Sequence, residues 1–349
     1  MTVRKTVAFS KKSANLFFHI LTKCNLSCRH CYINPQQQGE AKLPLKSIKA
    51  WLAAFSHDSS AVNVIFLGGE PTLHPDLNHA IKYARKLGFR SITVDTNGYL
   101  FHDILSRVSP REVDFFSFSL DGATPETNDG IRGNGSYDAC INGIRKTVAK
   151  GFAASLIYTV SRLNIHELEM MPPLLKNLGV QRFFIQVIGL RGRAAESGKA
   201  DHLQLTRSEW LNTVPPLARK IARQGITVSF PKVYLDPEEK FECAGLVARN
   251  YFIFPNGRVY RCPLCEDLPI HSLEFVDNRL VKTAKLIVSV LFGLIFSEGC
   301  VMYRLIQPVN ICFTVGGVPE YKIACCLLKE EVSGVGCQVS GGNAANSDT

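Results

Sequence analysis

Three closely spaced cysteines, Cys24, Cys28 and Cys31, constrain this chain more than any other feature. They lie in Thr22-Lys23-Cys24-Asn25-Leu26-Ser27-Cys28-Arg29-His30-Cys31-Tyr32. A mostly apolar run precedes them, Leu16-Phe17-Phe18-His19-Ile20-Leu21, with His19 its one polar member. Three thiolates cannot complete a tetrahedral zinc site without a fourth ligand. They can hold three irons of a 4Fe–4S cube and leave the fourth iron open. An iron with an open position can bind a substrate and do chemistry. The spacing therefore points to an enzyme and not merely to a stapled fold.

The length, 349 residues, suits one large α/β domain with a smaller appendage. Twelve cysteines without an export signal argue against a disulfide framework and for metal or cluster ligation in a cytoplasmic protein. The basic stretch Met1–Lys12 has no long apolar region behind it, so a secretory signal is not expected. The longest strongly apolar stretch, Leu286–Phe296, is shorter than the ~20 residues a bilayer requires. It reads as a buried strand or helix, and no membrane partner is expected. The net charge of +10 suits an anionic partner. Lys and Arg are scattered rather than gathered in a block, so a nucleic acid is not expected either.

Strand-like and helix-like segments alternate. Strands are predicted at Asn15–Thr22, Val62–Leu67, Ser91–Thr96, Asp114–Leu120, Ser155–Val160 and Arg182–Ile188. Helices are predicted at Leu45–Phe55, Leu77–Leu87, Tyr137–Lys150, Ile165–Leu178 and Arg207–Gln224. Pro172-Pro173 and Pro215-Pro216 predict a kink or split in the last two. Pro75-Asp76 marks a helix start, and Gly88, Gly151 and Gly179 stand just past helix ends. The repeated order implies a parallel sheet with right-handed crossovers, a partial (β/α)6 TIM-like barrel of class α/β. Active sites in such folds lie at the C-terminal strand ends. The cysteines follow the first strand, Gly68–Pro71 the second, Asn97-Gly98 the third and Asp121-Gly122 the fourth. The division expected is a barrel core over 13–230, a small cysteine-rich extension over 231–332 and a disordered tail over 333–349, rich in Gly, Ser and Asn.

The cysteine spacing, with Tyr32 following, resembles the signature of the radical S-adenosylmethionine (SAM) superfamily. The resemblance implies a 4Fe–4S cluster on Cys24, Cys28 and Cys31 whose open iron is chelated by the amino and carboxylate groups of SAM. It implies one-electron cleavage of SAM to methionine and a 5′-deoxyadenosyl radical that abstracts hydrogen from a substrate. An aromatic residue often precedes the third cysteine in that family; here the position is His30. Gly68-Gly69-Glu70-Pro71 resembles the segment that meets the SAM amino group. Glycines let a backbone approach a ligand, and backbone carbonyls or Glu70 can accept from an ammonium. Within Ser119-Leu120-Asp121-Gly122, followed by Arg132-Gly133, the resemblance makes Ser119 and Arg132 candidates for the SAM carboxylate or ribose and Asp121 for a polar contact. An Arg fork suits a carboxylate. Asn97-Gly98 reads foremost as a turn, and Ile188-Gly189 as a backbone surface against adenine.

A second cysteine group follows. Asn256-Gly257 between apolar segments marks a hairpin able to bring Cys243 and Cys262 together, and Cys265 completes a Cys-x-x-Cys with Cys262. This resembles the first half of the SPASM extension, or the shorter twitch domain. It implies an auxiliary iron–sulfur cluster on Cys243, Cys262 and Cys265, with a structural zinc site as the alternative. Cys300, Cys312, Cys325, Cys326 and Cys337 do not reproduce the dense SPASM spacing. Cys325 and Cys326 read as core thiols of which one could be a fourth ligand, and Cys140 as an inert core thiol. His19, His74 and His271 have no paired partner in sequence and read as structural or surface groups.

The resemblance implies a radical SAM enzyme with SAM, an electron donor such as a flavodoxin or ferredoxin, and a peptide, protein or small-molecule substrate. A peptide or protein leads. The alternatives are an enzyme of haem-type cofactor biosynthesis, a non-catalytic iron–sulfur redox or scaffold protein, and a zinc-binding interaction module.

Overall fold

The computed structural model describes residues 2–39, 41–196, 203–308 and 310–334. Its main sheet is organised by an alternation of side chains. In β3 (Val62–Leu67), Val62, Val64 and Phe66 are buried while Asn63, Ile65 and Leu67 are half-buried. In β4 (Ser91–Thr96), Ile92, Val94 and Thr96 are buried in the same rhythm. One face of each strand packs under helices and the other looks into a lumen, as period-two patterning requires.

Fifteen strands are described. The first is β1 (Thr2–Lys5), followed by β2 (Ala14–His19) and by β3 and β4. Next come β5 (Phe115–Ser119), β6 (Ala154–Val160), β7 (Arg182–Val187) and β8 (Thr227–Pro231). The remainder are β9 (Tyr234–Leu235), β10 (Arg249–Ile253), β11 (Arg258–Tyr260), β12 (Leu273–Val276), β13 (Arg279–Lys282), β14 (Lys322–Ile323) and β15 (Lys329–Ser333). Thirteen form one sheet in the order β1-β15-β8-β7-β6-β5-β4-β3-β2-β10-β11-β12-β13. The run from β10 through β2 to β8 is parallel. All six expected strands stand in chain order, and β8 adds a seventh through the helix Arg207–Ala222.

A ladder of amides fixes the register at one edge. Asn63, Asn15 and Asn250 are aligned partners on β3, β2 and β10. Asn63 donates to Asn15 (2.9 Å), Asn15 to Asn250 (2.8 Å) and Asn250 to the Ala8 carbonyl (2.8 Å). A one-residue slip would strand these buried amides, each worth about 1–3 kcal/mol unpaired.

The helices cover the outer face. Leu45–Ala53 buries Ile48, Trp51 and Leu52, and Leu77–Lys86 buries Leu77, Ala80, Ile81 and Ala84, at helical spacing. Gly88, Gly151 and Gly179 take positive φ just past helix ends, as expected. At Pro172-Pro173 the expected split occurs: a 3-10 turn, Ile165–Met170, gives way to a helix, Met171–Asn177, with the prolines in its first turn. At Pro215-Pro216 it does not, and Arg207–Ala222 runs through both. Trp210, Val214, Leu217, Ala218 and Ile221 are buried along this helix, and tertiary packing of that face outweighs the local cost of the prolines.

Three expectations on layout change. Residue 231 is the last of β8, so the 230/231 boundary falls within a strand. The region after it is not a separate unit, because β10 joins the barrel beside β2 and β15 joins beside β8. The extension therefore grips both edges of the barrel. Leu286–Phe296 is mostly exposed: it holds a short helix, Val288–Gly293, that buries Phe292, while Ile287, Val290 and Ile295 are 63%, 60% and 96% exposed. Ser333 ends β15, opposite Thr2 of β1, and the rest of the expected tail from residue 335, Cys337 included, lies outside the described residues.

Gly98 shows how tightly the strand ends are packed. Its φ is +96°, and a Cβ there would stand 2.5 Å from the Cα of Cys140. Gly98→Ala is expected to destabilise the protein by about 1–3 kcal/mol, read as a lowered urea midpoint with unchanged slope.

Candidate active site

The C-terminal ends of β2 to β7, the cysteine loop and the later cysteine-rich segments enclose one cavity of about 350 Å³. A more open hollow, about 420 Å³, lies at the opposite ends of the strands, where Ala14, Val62 and Arg249 begin β2, β3 and β10. The chemistry-bearing side chains gather at the first.

Cys24, Cys28 and Cys31 are free thiols and all line the cavity. Their loop is tied on two sides. The Arg29 amide donates to the Ile131 carbonyl (2.9 Å), and the Cys28 thiol approaches the Arg132 carbonyl (3.8 Å). The Asn97 side chain donates to Asn25 (2.8 Å) and approaches the Cys24 sulfur (3.8 Å). Asn97, expected to be only a turn residue, thus helps to hold the cysteine loop. Burial pushes the Cys24 thiol up to about 11 and raises Cys28 as well, so ligation must displace these protons.

The glycine segment is shaped first by the chain itself. A Cβ at Gly68 would lie 2.4 Å from the Leu21 carbonyl oxygen, and one at Gly69 2.3 Å from that of Lys23. The Gly69 and Glu70 amides donate to those same two carbonyls (3.1 and 3.0 Å). Both glycines line the cavity, whereas Glu70 and Pro71 are buried away from it. The Glu70 carboxylate accepts from the Thr72 amide and hydroxyl (3.0 and 2.6 Å), the Thr96 hydroxyl (2.9 Å) and the Asn97 amide (2.7 Å). It ties its own segment to the end of β4 from inside instead of lining the cavity.

Asp121 has a similar inward role. It is wholly buried and off the cavity wall, while Ser119 and Arg132 are on it. Its carboxylate meets Arg132 (2.6 Å) and His30 (3.1 Å) and accepts from the Thr159 amide (2.7 Å). Burial opposes its ionisation, but Arg132, His30 and the Thr159 hydrogen bond prevail and hold its pKa down to about 2. His30 therefore serves as a hydrogen-bonding strut from the cysteine loop to the end of β5.

The second cysteine group is larger than expected. The hairpin of β10 and β11 forms, and Cys243, Cys262 and Cys265 are buried near its base with Cys300 and Cys325. The thiol pairs Cys243–Cys325, Cys325–Cys326 and Cys262–Cys265 are hydrogen-bonded, and Cys300 senses both Cys325 and Cys265. Hydrogen bonding within these pairs, reinforced by burial, raises Cys243, Cys262 and Cys326, and hydrogen bonding lowers Cys325 and Cys265 against burial. Six thiols thus share one neighbourhood, three of which the spacing did not reveal as a set. Cys312 is exposed and beside Tyr321 (3.6 Å). Cys140 is buried with its thiol toward the Ser119 carbonyl (3.6 Å), an inert core position.

The two cysteine groups are joined by a buried bridge. Arg191 pairs with Glu266 (2.7 Å), donates to the Pro263 carbonyl and lies over the Tyr32 ring (4.9 Å). Tyr32 adjoins Cys31, and Glu266 adjoins Cys265. Burial drives the Glu266 carboxyl up to about 7, against the pull of Arg191. His19 completes the bridge. Burial lowers it to about 3, so it is neutral. Its Nδ1 faces the Ile253 carbonyl (3.2 Å), which can only accept. Nδ1 therefore carries the proton, and Nε2 accepts from the Tyr32 hydroxyl (2.8 Å). His74 and His271 are held by local contacts to Leu43 and Glu274, as structural residues.

The donor chemistry fits a cluster and SAM. The first group offers three free thiols on one wall, with no carboxylate bonded to any of them. The glycine backbone and the Ser119 and Arg132 side chains lie on the same cavity. Among the described residues no three His, Cys, Asp or Glu side chains are arranged to hold one metal ion. Thiolates of a cube bind separate irons and do not share one ion.

Comparison with known proteins agrees. The Radical SAM superfamily model matches residues 19–171. The Fe-coproporphyrin III synthase of Methanosarcina barkeri is 29% identical over 62% of this chain and 55% of that protein. Streptococcus suis SuiB bound to precursor peptide SuiA superposes with a TM-score of 0.61 at 13% identity, over 81% of this chain and 65% of that one. Native anSMEcpe with bound AdoMet gives a TM-score of 0.60 at 13% identity, over 84% and 88%. The chain spans about half the length of the synthase and just under two thirds of SuiB. Residues 19–171 thus resemble the radical SAM superfamily, and the chain shares its fold with SuiB and anSMEcpe. That family implies a 4Fe–4S cluster and SAM.

Two predictions follow from the packing. Gly192 has φ +51°, and a Cβ there would stand 2.4 Å from the Cys31 carbonyl oxygen. Gly192→Ala should displace the cysteine loop and lower iron content after anaerobic reconstitution. Asp121 ionises far more readily folded than unfolded, where its pKa is about 3.9. Its stabilisation is complete above that value and is lost as pH falls through about 2. The stability gap between wild type and Asp121→Asn, measured by denaturant titration, should therefore be wide at pH 6, about half as wide at pH 3 and narrow at pH 2.

Proposed function

We propose that this chain is a radical SAM enzyme that cleaves SAM reductively and abstracts hydrogen from a substrate. The observation that carries this reading is that Cys24, Cys28, Cys31, Gly68, Gly69, Ser119 and Arg132 share one cavity wall at the strand ends. When bound, the cluster and SAM supply a one-electron cleavage that yields a 5′-deoxyadenosyl radical. Cys24, Cys28 and Cys31 would hold the cluster. The Gly68-Gly69 backbone would meet the SAM amino group, and Ser119 and Arg132 its carboxylate or ribose. Asp121 and Glu70 act one step back, fixing Arg132 and the glycine segment. The packed wall of Tyr32, His19 and Arg191 limits water entry.

Cys243, Cys262 and Cys265, with ligands drawn from Cys300, Cys325 and Cys326, would hold an auxiliary iron–sulfur cluster. A flavodoxin or ferredoxin would deliver the electron. Among the described residues no helix is long and apolar enough to cross a membrane. The substrate we favour is a peptide or protein, supported by the fold shared with peptide-bound SuiB. A second reading, tailoring of a haem-type cofactor, is supported by the sequence likeness to Fe-coproporphyrin III synthase.

The test is anaerobic reconstitution with iron and sulfide, then assay for 5′-deoxyadenosine with a chemical reductant. Wild type is expected to form it, and a variant with all three of Cys24, Cys28 and Cys31 changed to Ala to lose it by at least two orders of magnitude. Equal product from both would overturn the reading. Substituting Cys243 and Cys262 should lower iron content without removing the first cluster; unchanged iron with bound zinc would assign that group to zinc instead.

A further inference from the structure

The inner end of the cavity holds a charged pair that the reading above does not use. Lys329 opens β15 and is the aligned partner of Pro231 at the end of β8. Asp95 projects from β4, hydrogen-bonded by Ser117. Both are half-buried, and both contribute to the cavity wall. Burial aside, Lys329 is influenced first by the Cys326 thiol, which shares the cavity, and then by Asp95, while among the described residues no carboxylate lies at ion-pair distance from its ammonium. The ammonium is therefore a desolvated cation facing open volume. The same cavity also offers apolar lining, with Ala8, Pro231, Leu327 and the stacked rings of Phe17 and Phe252, 4.5 Å apart.

A cation held out of water without a contact partner is costly, and an anion brought to it recovers that cost. The lysine is a point charge that one carboxylate balances. Asp95 on the same cavity makes a dianionic phosphate a poorer fit, because burial already pushes its carboxyl up to about 7 and a second anionic charge beside it would oppose its ionisation further. Asp95 can instead accept from an N–H or O–H of the same ligand. We infer that Lys329, on the same cavity as Asp95, anchors a carboxylate of the substrate whose apolar body lies against Phe17, Phe252 and Leu327. This rests on the cavity being the substrate site of the proposed reaction, but the binding itself requires neither cluster nor SAM.

The probes are N-acetylphenylalanine and its carboxamide, which differ in the charge alone. Ligand-observed saturation-transfer NMR with the full chain should detect the acid and, at least tenfold more weakly, the amide. Lys329→Met should abolish the acid signal, and Lys329→Arg should retain it. Wild-type thermal melting in both variants is the check on folding; if Lys329→Met fails to fold, Asp95→Asn, which leaves the ammonium in place, should keep acid binding. Acid and amide binding alike, no acid binding by wild type, or acid binding unaffected in a folded Lys329→Met would each overturn the inference. A blocked tripeptide with a central glutamate and coproporphyrin III, as further probes, separate a peptide side chain from a tetrapyrrole propionate as the source. Lys329-dependent binding of one supports the inference, and binding of both that survives Lys329→Met contradicts it. If wild type binds the acid but forms no 5′-deoxyadenosine, the proposed reaction fails and the anchor stands.

Discussion

The buried pair of Arg191 and Glu266 is the contact on which the rest of the site depends. Arg191 follows β7, and Glu266 belongs to the region after the hairpin of β10 and β11. Their ion pair lies between Tyr32 beside the first cysteine group and Cys265 in the second. A buried ion pair of this kind adds little net stability over an apolar contact, yet losing one partner is expensive, about 3–5 kcal/mol. Its value here is geometric. It sets the distance between two thiol-rich loops that share no strand, and so encloses a cavity between barrel and extension.

The barrel supplies the fixed side of that cavity. Parallel strands deliver Gly68, Asn97, Ser119, Thr159 and Gln186 to one end, each one to a few residues from where its strand pairing stops. The amide ladder of Asn63, Asn15 and Asn250 holds the register of β3, β2 and β10 near their N-terminal ends, opposite the end where the cysteine loop leaves β2. Around the loop, the carboxylates of Glu70 and Asp121 are consumed by internal contacts. Acidic residues near the first thiols therefore brace the backbone and leave the sulfurs as the available metal donors.

Much of this was legible in the sequence. The three cysteines, the glycine pair and the six strands are local patterns, and local patterns survive into the fold. Asn97 was misread because Asn-Gly reads as a turn. It is also a turn here, with Gly98 at φ +96°, but the Asn97 side chain reaches the cysteine loop across space. Glu70 and Asp121 were read as ligand contacts because residue type does not disclose which way a carboxylate points. Leu286–Phe296 is apolar but buries only Phe292 fully, since burial depends on what packs above a segment.

For a related reason the sequence offered only one of Cys325 and Cys326 as a possible fourth ligand and left Cys300 unassigned. They come together with Cys243 and Cys262 only after β15 crosses to the far edge of the barrel and β10 joins the near one. Spacing in sequence carries no trace of that closure. Mössbauer spectroscopy of reconstituted wild-type protein, with and without SAM, tests the central claim most directly. The account predicts 4Fe–4S signals of which one subset, a single iron of the first cluster, shifts when SAM is added. A spectrum indifferent to SAM, or protein that takes up zinc in place of iron, would contradict it.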